Sequence, residues 1–175
     1  MSSAWPVPDI FNAATFFVDR HVEEGRGERV AIHYDDQRIS YGDLHRRVNQ
    51  VGNALRGLGV GMEERVCLLL LDRPEFMYSF FGAIKIGAVP IATNTLLQPR
   101  EYEYILSDSH ASTIIVSAEV LPSLEPALAS AEHLKHLSVV GVAGEEHIAY
   151  WEWMQAEGEE LEAAQTSKDA MAFWQ

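Results

Sequence analysis

The chain has 175 residues, 47% of them hydrophobic, with 13 Lys plus Arg against 26 Asp plus Glu and a formal charge of −13. That size and apolar content suit one globular α/β domain, or the larger part of one, and so acidic a surface repels nucleic acid and anionic lipid. The same field repels polyanions such as ATP and CoA, and no local basic cluster in the sequence offsets it.

Asn12 can cap a helix over residues 13–24, which Gly25 and Gly27 end. Val30–Tyr34 and Gln37–Ser40 flank Asp35-Asp36 and read as a hairpin. Ser40 and Asp43 have capping-box spacing. The helix they start carries Leu44, Val48, Val51, Leu55 and Leu58 on one face and Arg46, Arg47, Asn49 and Arg56 on the other, with Gly59 as a left-handed stop. Val66–Leu71 is an unbroken apolar run suited to a strand covered on both faces. Pro74 opens a helix that reaches Ile86 and ends at Gly87.

A short strand follows at Val89–Thr93, then a helix opened by Pro99 with Tyr102, Ile105 and Leu106 inward. Thr113–Ser117 reads as a strand, Leu121 to His136 as largely helical, Leu137–Val142 as a strand and Trp151–Glu162 as a helix. Ala170–Trp174 begins a further apolar strand, one residue before the last position, and reads as the mark of a truncated chain. Strands alternating with helices predict βαβ crossovers and a mainly parallel sheet flanked by helices.

Several motifs have a functional and a structural meaning. Gly57, Gly59 and Gly61 are spaced like a phosphate loop, but here a helix precedes them and a strand follows, which is a helix stop and turn. His133 and His136, three apart beside Glu132, could hold a metal ion, yet no third ligand has a recognisable spacing, and a solvated helix end accounts for them. Cys67 lies inside an apolar strand, so burial should raise its pKa and make it a core thiol rather than a nucleophile. As the one cysteine it also excludes an intrachain disulfide, which suits a reducing compartment.

Glu157, Glu159, Glu160 and Glu162 form an acidic stretch, read as a solvated helix face or loop. Tyr78, Phe80 and Phe81 could line an aryl pocket, although Phe76, Phe80 and Ile84 also have the spacing of a core-facing helix stripe. Met1 to Ile10 lacks the pattern of a signal peptide. The longest apolar windows, broken by Lys85 and Pro90, fall short of the ~18 residues of a spanning helix. These features predict a soluble, cytoplasmic α/β domain without a nucleic-acid or membrane partner. No nucleophile elbow or Walker loop is present, and no glycine follows Leu71 at Asp72-Arg73-Pro74-Glu75, as an unrelated doubly wound nucleotide binder would need.

Three stretches resemble the adenylate-forming (acyl-CoA synthetase) superfamily: Ile39-Ser40-Tyr41-Gly42-Asp43-Leu44; Ala54-Leu55-Arg56-Gly57-Leu58-Gly59-Val60 with Arg65-Val66; and Gly82-Ala83-Ile84-Lys85-Ile86-Gly87-Ala88-Val89-Pro90. Their order and spacing match that superfamily. The run from Phe11 to His21, Asn94-Thr95-Leu96-Leu97 and Tyr102-Glu103-Tyr104-Ile105-Leu106 resemble benzoate–CoA ligases and 4-hydroxybenzoate–CoA ligases more narrowly. Many relatives have Asn-Pro-Arg-Leu at 94–97, and where that arginine helps to hold CoA, Leu96 cannot.

The resemblance implies that residues 1–175 are the N-terminal part of an AMP-binding (adenylation) domain, without the C-terminal domain. The family joins an aromatic carboxylate to CoA through an acyl-adenylate, using ATP and Mg²⁺, as in aromatic-acid degradation. Its phosphate loop follows a strand resembling Asp169–Gln175. The loop, the aryl pocket, the adenine motif, the hinge and the catalytic lysine would therefore lie past Gln175. No catalytic, cofactor-binding or metal residue carries over to this chain, which by itself is expected to be inactive. The remainder of the ligase, or a second copy of the chain, would cover the apolar strand at Phe173 and Trp174. The alternative is a stand-alone, non-catalytic interaction module built on the same fold.

Overall fold

The computed structural model describes residues 7–175; most of the Met1 to Ile10 segment read for a signal peptide lies outside them. Asn12 starts the first helix as expected, its Oδ1 accepting from the Ala14 amide at 3.0 Å. A π-helical stretch, Thr15–Asp19, then runs into α1, Arg20–Glu23. β1 (Val30–Tyr34) and β2 (Gln37–Ser40) form an antiparallel hairpin. Asp35 makes its turn with a left-handed φ of 49°.

Ser40 caps α2 (Tyr41–Gly57) through a complete capping box with Asp43. At the other end Gly59, at φ 83°, donates to Arg56 O at 2.9 Å, and Val60 donates to Leu55 O at 3.0 Å. These paired bonds are those of a Schellman stop, so this glycine cluster is a helix end and not a phosphate loop.

A five-stranded parallel sheet forms the body of the molecule, in the order β4-β3-β5-β6-β7. Its strands are β3 (Arg65–Leu69), β4 (Val89–Ala92), β5 (Thr113–Ser117), β6 (His136–Val140) and β7 (Ile148–Ala149). Between them run α3 (Pro74–Lys85), α4 (Pro99–Ser109) and α5 (Leu121–Leu128), and α6 (Tyr150–Gln155) follows β7. One face packs against α2, α3 and α6 through residues such as Val48, Leu55, Leu68, Ile115 and Tyr150. The other packs against α4 and α5 through Leu69, Tyr102, Ile114, Val116 and Leu124. α3 lies on one face and α4 and α5 on the other, the placement that right-handed crossovers require when the strand order reverses.

α2 and α3 cross where Gly52 meets Gly82. A Cβ on Gly82 would lie 3.1 Å from the Gly52 nitrogen and from the Val48 oxygen, so a side chain there would push the two helix backbones apart by a few tenths of an ångström.

Several expectations change, the strand expected at Leu137–Val142 running instead over His136–Val140. α5 stops at Leu128 rather than at His136, and the chain turns back so that Lys135 and His136 can both donate to Ser112 O. α6 stops at Gln155, and residues 156–166 run as an extended strap along α2. The two-residue strand β7 precedes α6. Residues 170–174 do not form a full strand: they make one parallel bridge, Trp174 to Ile91, on the free edge of β4, and Met171 and Phe173 stay exposed.

Candidate functional site

In an open parallel sheet, ligands bind at the carboxyl ends of the strands, where the strand order reverses. Here that point lies between β3 and β5. It is closed, because Ser117 Oγ accepts from the Leu71 amide at 3.1 Å and Arg73 pairs with Glu119 across the two loops. The open space lies beside it instead, over the ends of β3 and β4. It is a cleft of about 830 Å³, walled by Phe76, Leu97, Tyr104, Ile105 and Trp174, with Thr93 and Asn94 on the β4 side.

α3 brings Phe76 to the cleft because Pro74 sets the first turn directly after the strand. α4 brings Tyr104 and Ile105, and its start is fixed by a capping box between Gln98 and Glu101. Tyr102, on the inner side of α4, donates from its hydroxyl to Asn94 O at 3.2 Å and so ties the 94–97 loop to the helix. Trp174 is held by its amide donating to Pro90 O at 2.9 Å and by its carbonyl accepting from Ala92 N at 3.1 Å.

The charged groups in the cleft wall are carboxylates, Asp72 and Asp108, with no Lys, Arg or His among the lining residues. Phosphates held by a protein need backbone N–H cradles or cations. The lining therefore offers no cationic side chain to the phosphates of ATP or CoA. The apolar and aromatic walls can instead accept a flat hydrophobic group or a packed chain segment.

Other residues singled out by the sequence lie away from the cleft lining. Cys67 is fully buried with Sγ 3.3 Å from Thr93 Oγ1, and burial pushes its thiol up to about 11, so it is neutral at physiological pH. Tyr78 is buried in the core, and Phe80 and Phe81 pack partly buried against the same cluster. Burial pushes the Tyr78 hydroxyl up to about 12. Of the α3 aromatics it is Phe76 that reaches the cleft. His133 lies in a turn and His136 starts β6, so the two do not share a helix. The His133 ring instead lies 4.1 Å from that of His110. No group of three or more His, Cys, Asp or Glu placed to hold a metal ion occurs among the described residues.

Sequence reasoning missed a buried polar cluster. Lys85, 1% exposed, reaches Asp19 Oδ2 at 2.7 Å and Asn49 Oδ1 at 2.7 Å. His45 Nε2 stands 3.5 Å from Asp19, and burial, ahead of the nearby Lys85 charge, lowers its pKa. Asn49 and Lys85 were both visible in the sequence, but the acid that joins them comes from the first helix, whose long-range contacts no periodicity reveals.

Residues 18–175 match the family described as AMP-binding enzyme. The chain belongs to that family. It is 41% identical to the benzoate–CoA ligase of Thauera aromatica over 96% of this chain and 32% of that protein. It is 39% identical to the 4-hydroxybenzoate–CoA/benzoate–CoA ligase of Rhodopseudomonas palustris, over 94% of this chain and 31% of that protein. Among solved structures, the anthranilate CoA ligase AuaEII, in complex with anthranoyl-AMP, superposes with a TM-score of 0.89 at 38% identity, covering 93% of this chain and 31% of that one. A benzoate CoA ligase from Burkholderia xenovorans LB400 gives 0.84 at 34% identity, covering 94% of this chain and 32% of that one. The chain thus spans about a third of the length of these relatives, and its parallel α/β sheet is that of their N-terminal region.

Proposed function

We propose that residues 1–175 are the N-terminal part of the adenylation domain of an ATP-dependent aryl-acid–CoA ligase of the benzoate type. In that ligase the acid carboxylate attacks the ATP α-phosphate, releasing pyrophosphate, and the CoA thiol then displaces AMP from the acyl-adenylate. The observation that carries the reading is likeness along nearly the whole chain to ligases whose names specify benzoate, at up to 41% identity. The acidic, aromatic cleft supports the second half of the proposal: these residues supply scaffold, and the groups that grip nucleotide belong to sequence past position 175.

In this reading ATP, Mg²⁺, CoA and an aromatic carboxylate are ligands of the whole ligase and not of this chain. The remaining ligase residues cover the cleft and the edge at Trp174, and the protein works in the cytoplasm. No described helix is long and apolar enough to cross a membrane.

The test is benzoate-dependent exchange of radiolabelled pyrophosphate into ATP. The purified 175-residue chain is expected to give none, while a protein extended through a Ser/Thr/Gly-rich loop to ligase length gives it. Robust exchange by the 175 residues alone overturns the assignment of the nucleotide-gripping groups.

A further inference from the structure

The strap at residues 156–166 is held by an array of side-chain donors along α2. Asn49 Nδ2 donates to Glu159 O at 2.7 Å, Asn53 Nδ2 to Gly158 O at 2.8 Å and Glu160 O at 2.9 Å, and Arg56 to Glu162 O at 3.0 Å. Each of these bonds ends on a backbone carbonyl, so the array fixes the path of the strap and not its side chains. Leu161 seats on Gly52, where a Cβ would come within 2.3 Å of Leu161 Cδ2.

The next anchors follow in series. Ala164 donates to Lys85 O at 2.8 Å, Phe11 donates to Thr166 O at 2.8 Å, and Trp174 then bridges to β4. Lys85 meets this series directly through its carbonyl, which also accepts from Asn12 Nδ2 at 3.3 Å, and Asn49 joins the series to the Lys85 ammonium. Asn49 is 1% exposed, its Oδ1 accepts from Lys85 Nζ, and its Nδ2 holds the strap. Lys85 is fixed in turn by Asp19. A buried ion pair whose ammonium has two hydrogen-bond partners, Asp19 and Asn49, makes a reference point.

We propose that Asn49 is a positioning residue: it relays the fixed place of the Lys85–Asp19 pair to the strap, and so sets where Trp174 meets the open edge of β4. The inference rests on the proposed function, in which the segment ending at Gln175 leads into the phosphate loop. The strap is then the element that aims that loop.

Asn49→Asp separates this role from simple packing. The carboxylate still accepts from Lys85, but it sets an acceptor against Glu159 O where a donor stood. Asn53→Ala is the second variant: it loosens the strap without touching Lys85, should the first fail to fold. Amide hydrogen exchange is measured on the 175-residue chain, peptide by peptide. Trp174 is followed by fluorine NMR of 5-fluorotryptophan-labelled protein, with the resonance assigned by Trp174→Phe.

Peptides spanning 157–174 are expected to exchange about five- to tenfold faster in either variant, while α2 and β3 stay within about twofold. The Trp174 resonance should shift in Asn49→Asp. Unchanged exchange of the strap in both variants overturns the proposal. So does equal acceleration of α2 and β3, which would make Asn49 a general stability residue, and so does a stationary Trp174 resonance over a loosened strap. None of these readouts involves ATP or an acid, so they are decided independently of the pyrophosphate exchange test.

Discussion

On the face of the sheet covered by α4 and α5, burial is apolar: Leu69, Leu106, Ile114, Val116, Leu124 and Val139 fill it, with the Tyr102 hydroxyl reaching out to the 94–97 loop. On the side built by α2 and α3 the apolar contacts share their space with Lys85, Asp19 and Asn49, and with a Ser79–Tyr150 hydrogen bond of 3.0 Å. An apolar seal is tolerant, because its energy scales with buried area and not with direction. A buried ion pair is not. Desolvation offsets much of its attraction, so its net worth is small while the loss on removing one partner is large. The polar side therefore specifies an arrangement, which fits its task of holding the first helix, α2, α3 and the strap in one register.

The strongest way to break this contrast is Lys85→Met. It removes the charge with little change of volume and leaves Asp19, 7% exposed, without its cation. A loss of about 3–5 kcal/mol in unfolding free energy is expected from urea titration. The double variant with Asp19→Asn should recover much of it, because a neutral pair has less to desolvate. A single-variant loss below about 1 kcal/mol would mean that the cluster is an ordinary surface-type pair and that the two sides do not differ.

Leu124→Ala measures the other side. Leu124 is fully buried in the α4/α5 cluster, and its truncation should cost about 3 kcal/mol through lost transfer energy and the cavity left behind. The sharper expectation concerns where the effect appears. The protection of the strap in hydrogen exchange should fall no more than that of the sheet, whereas Lys85→Met should expose the strap first.

The contrast also explains how much could be read from the sequence. The hairpin bounds, β5, the capping box and the glycine stops were legible, because each depends on residues a few positions apart: Ser40 with Asp43, Gly59 with Arg56 and Val60 with Leu55. The apolar stripe Leu44, Val48, Val51 and Leu55 was legible for the same reason. The far end was not. The acidic run from Glu157 to Glu162 follows a helix and carries helix-compatible residues, yet α2 claims its carbonyls with two asparagine amides and the Arg56 guanidinium, each more than a hundred positions away. These side-chain donors hold the run in a non-helical path along α2, so tertiary contacts overrode local propensity there. In the same way the spacing of Leu128, Ala131 and Leu134 suits a helix, but the chain must return to Ser112 to start β6. The candidate site was the least legible part: the open cleft depends on Trp174 reaching β4, and the apolar run at Ala170–Trp174 gave a strand but not the edge it meets.

The smallest effect tests whether the polar groups of α2 act together or one by one. Ser40 and Asp43 lie at the N-terminus of α2, away from the Lys85 cluster, and their box should contribute locally. Ser40→Ala is expected to lower stability by about 1 kcal/mol, the usual worth of an N-cap. The Asp43 carboxyl sits below its ordinary pKa chiefly because the Ser40 hydroxyl donates to it, with the Ser40 amide and Arg46 adding to the effect and partial burial opposing it. A carboxyl whose folded pKa is depressed binds its proton more readily in the unfolded chain. Its stabilisation is therefore complete above the unfolded value, near about pH 4, and is lost as pH falls through the folded one. Urea midpoints collected between about pH 3 and about pH 5 should fall less steeply in Ser40→Ala than in the unaltered chain, because the main cause of the depression is gone. Equal slopes in the two proteins would place the acid sensitivity elsewhere, with His45 beside Asp19 as the group to replace next, and would tie the start of α2 to the buried cluster after all.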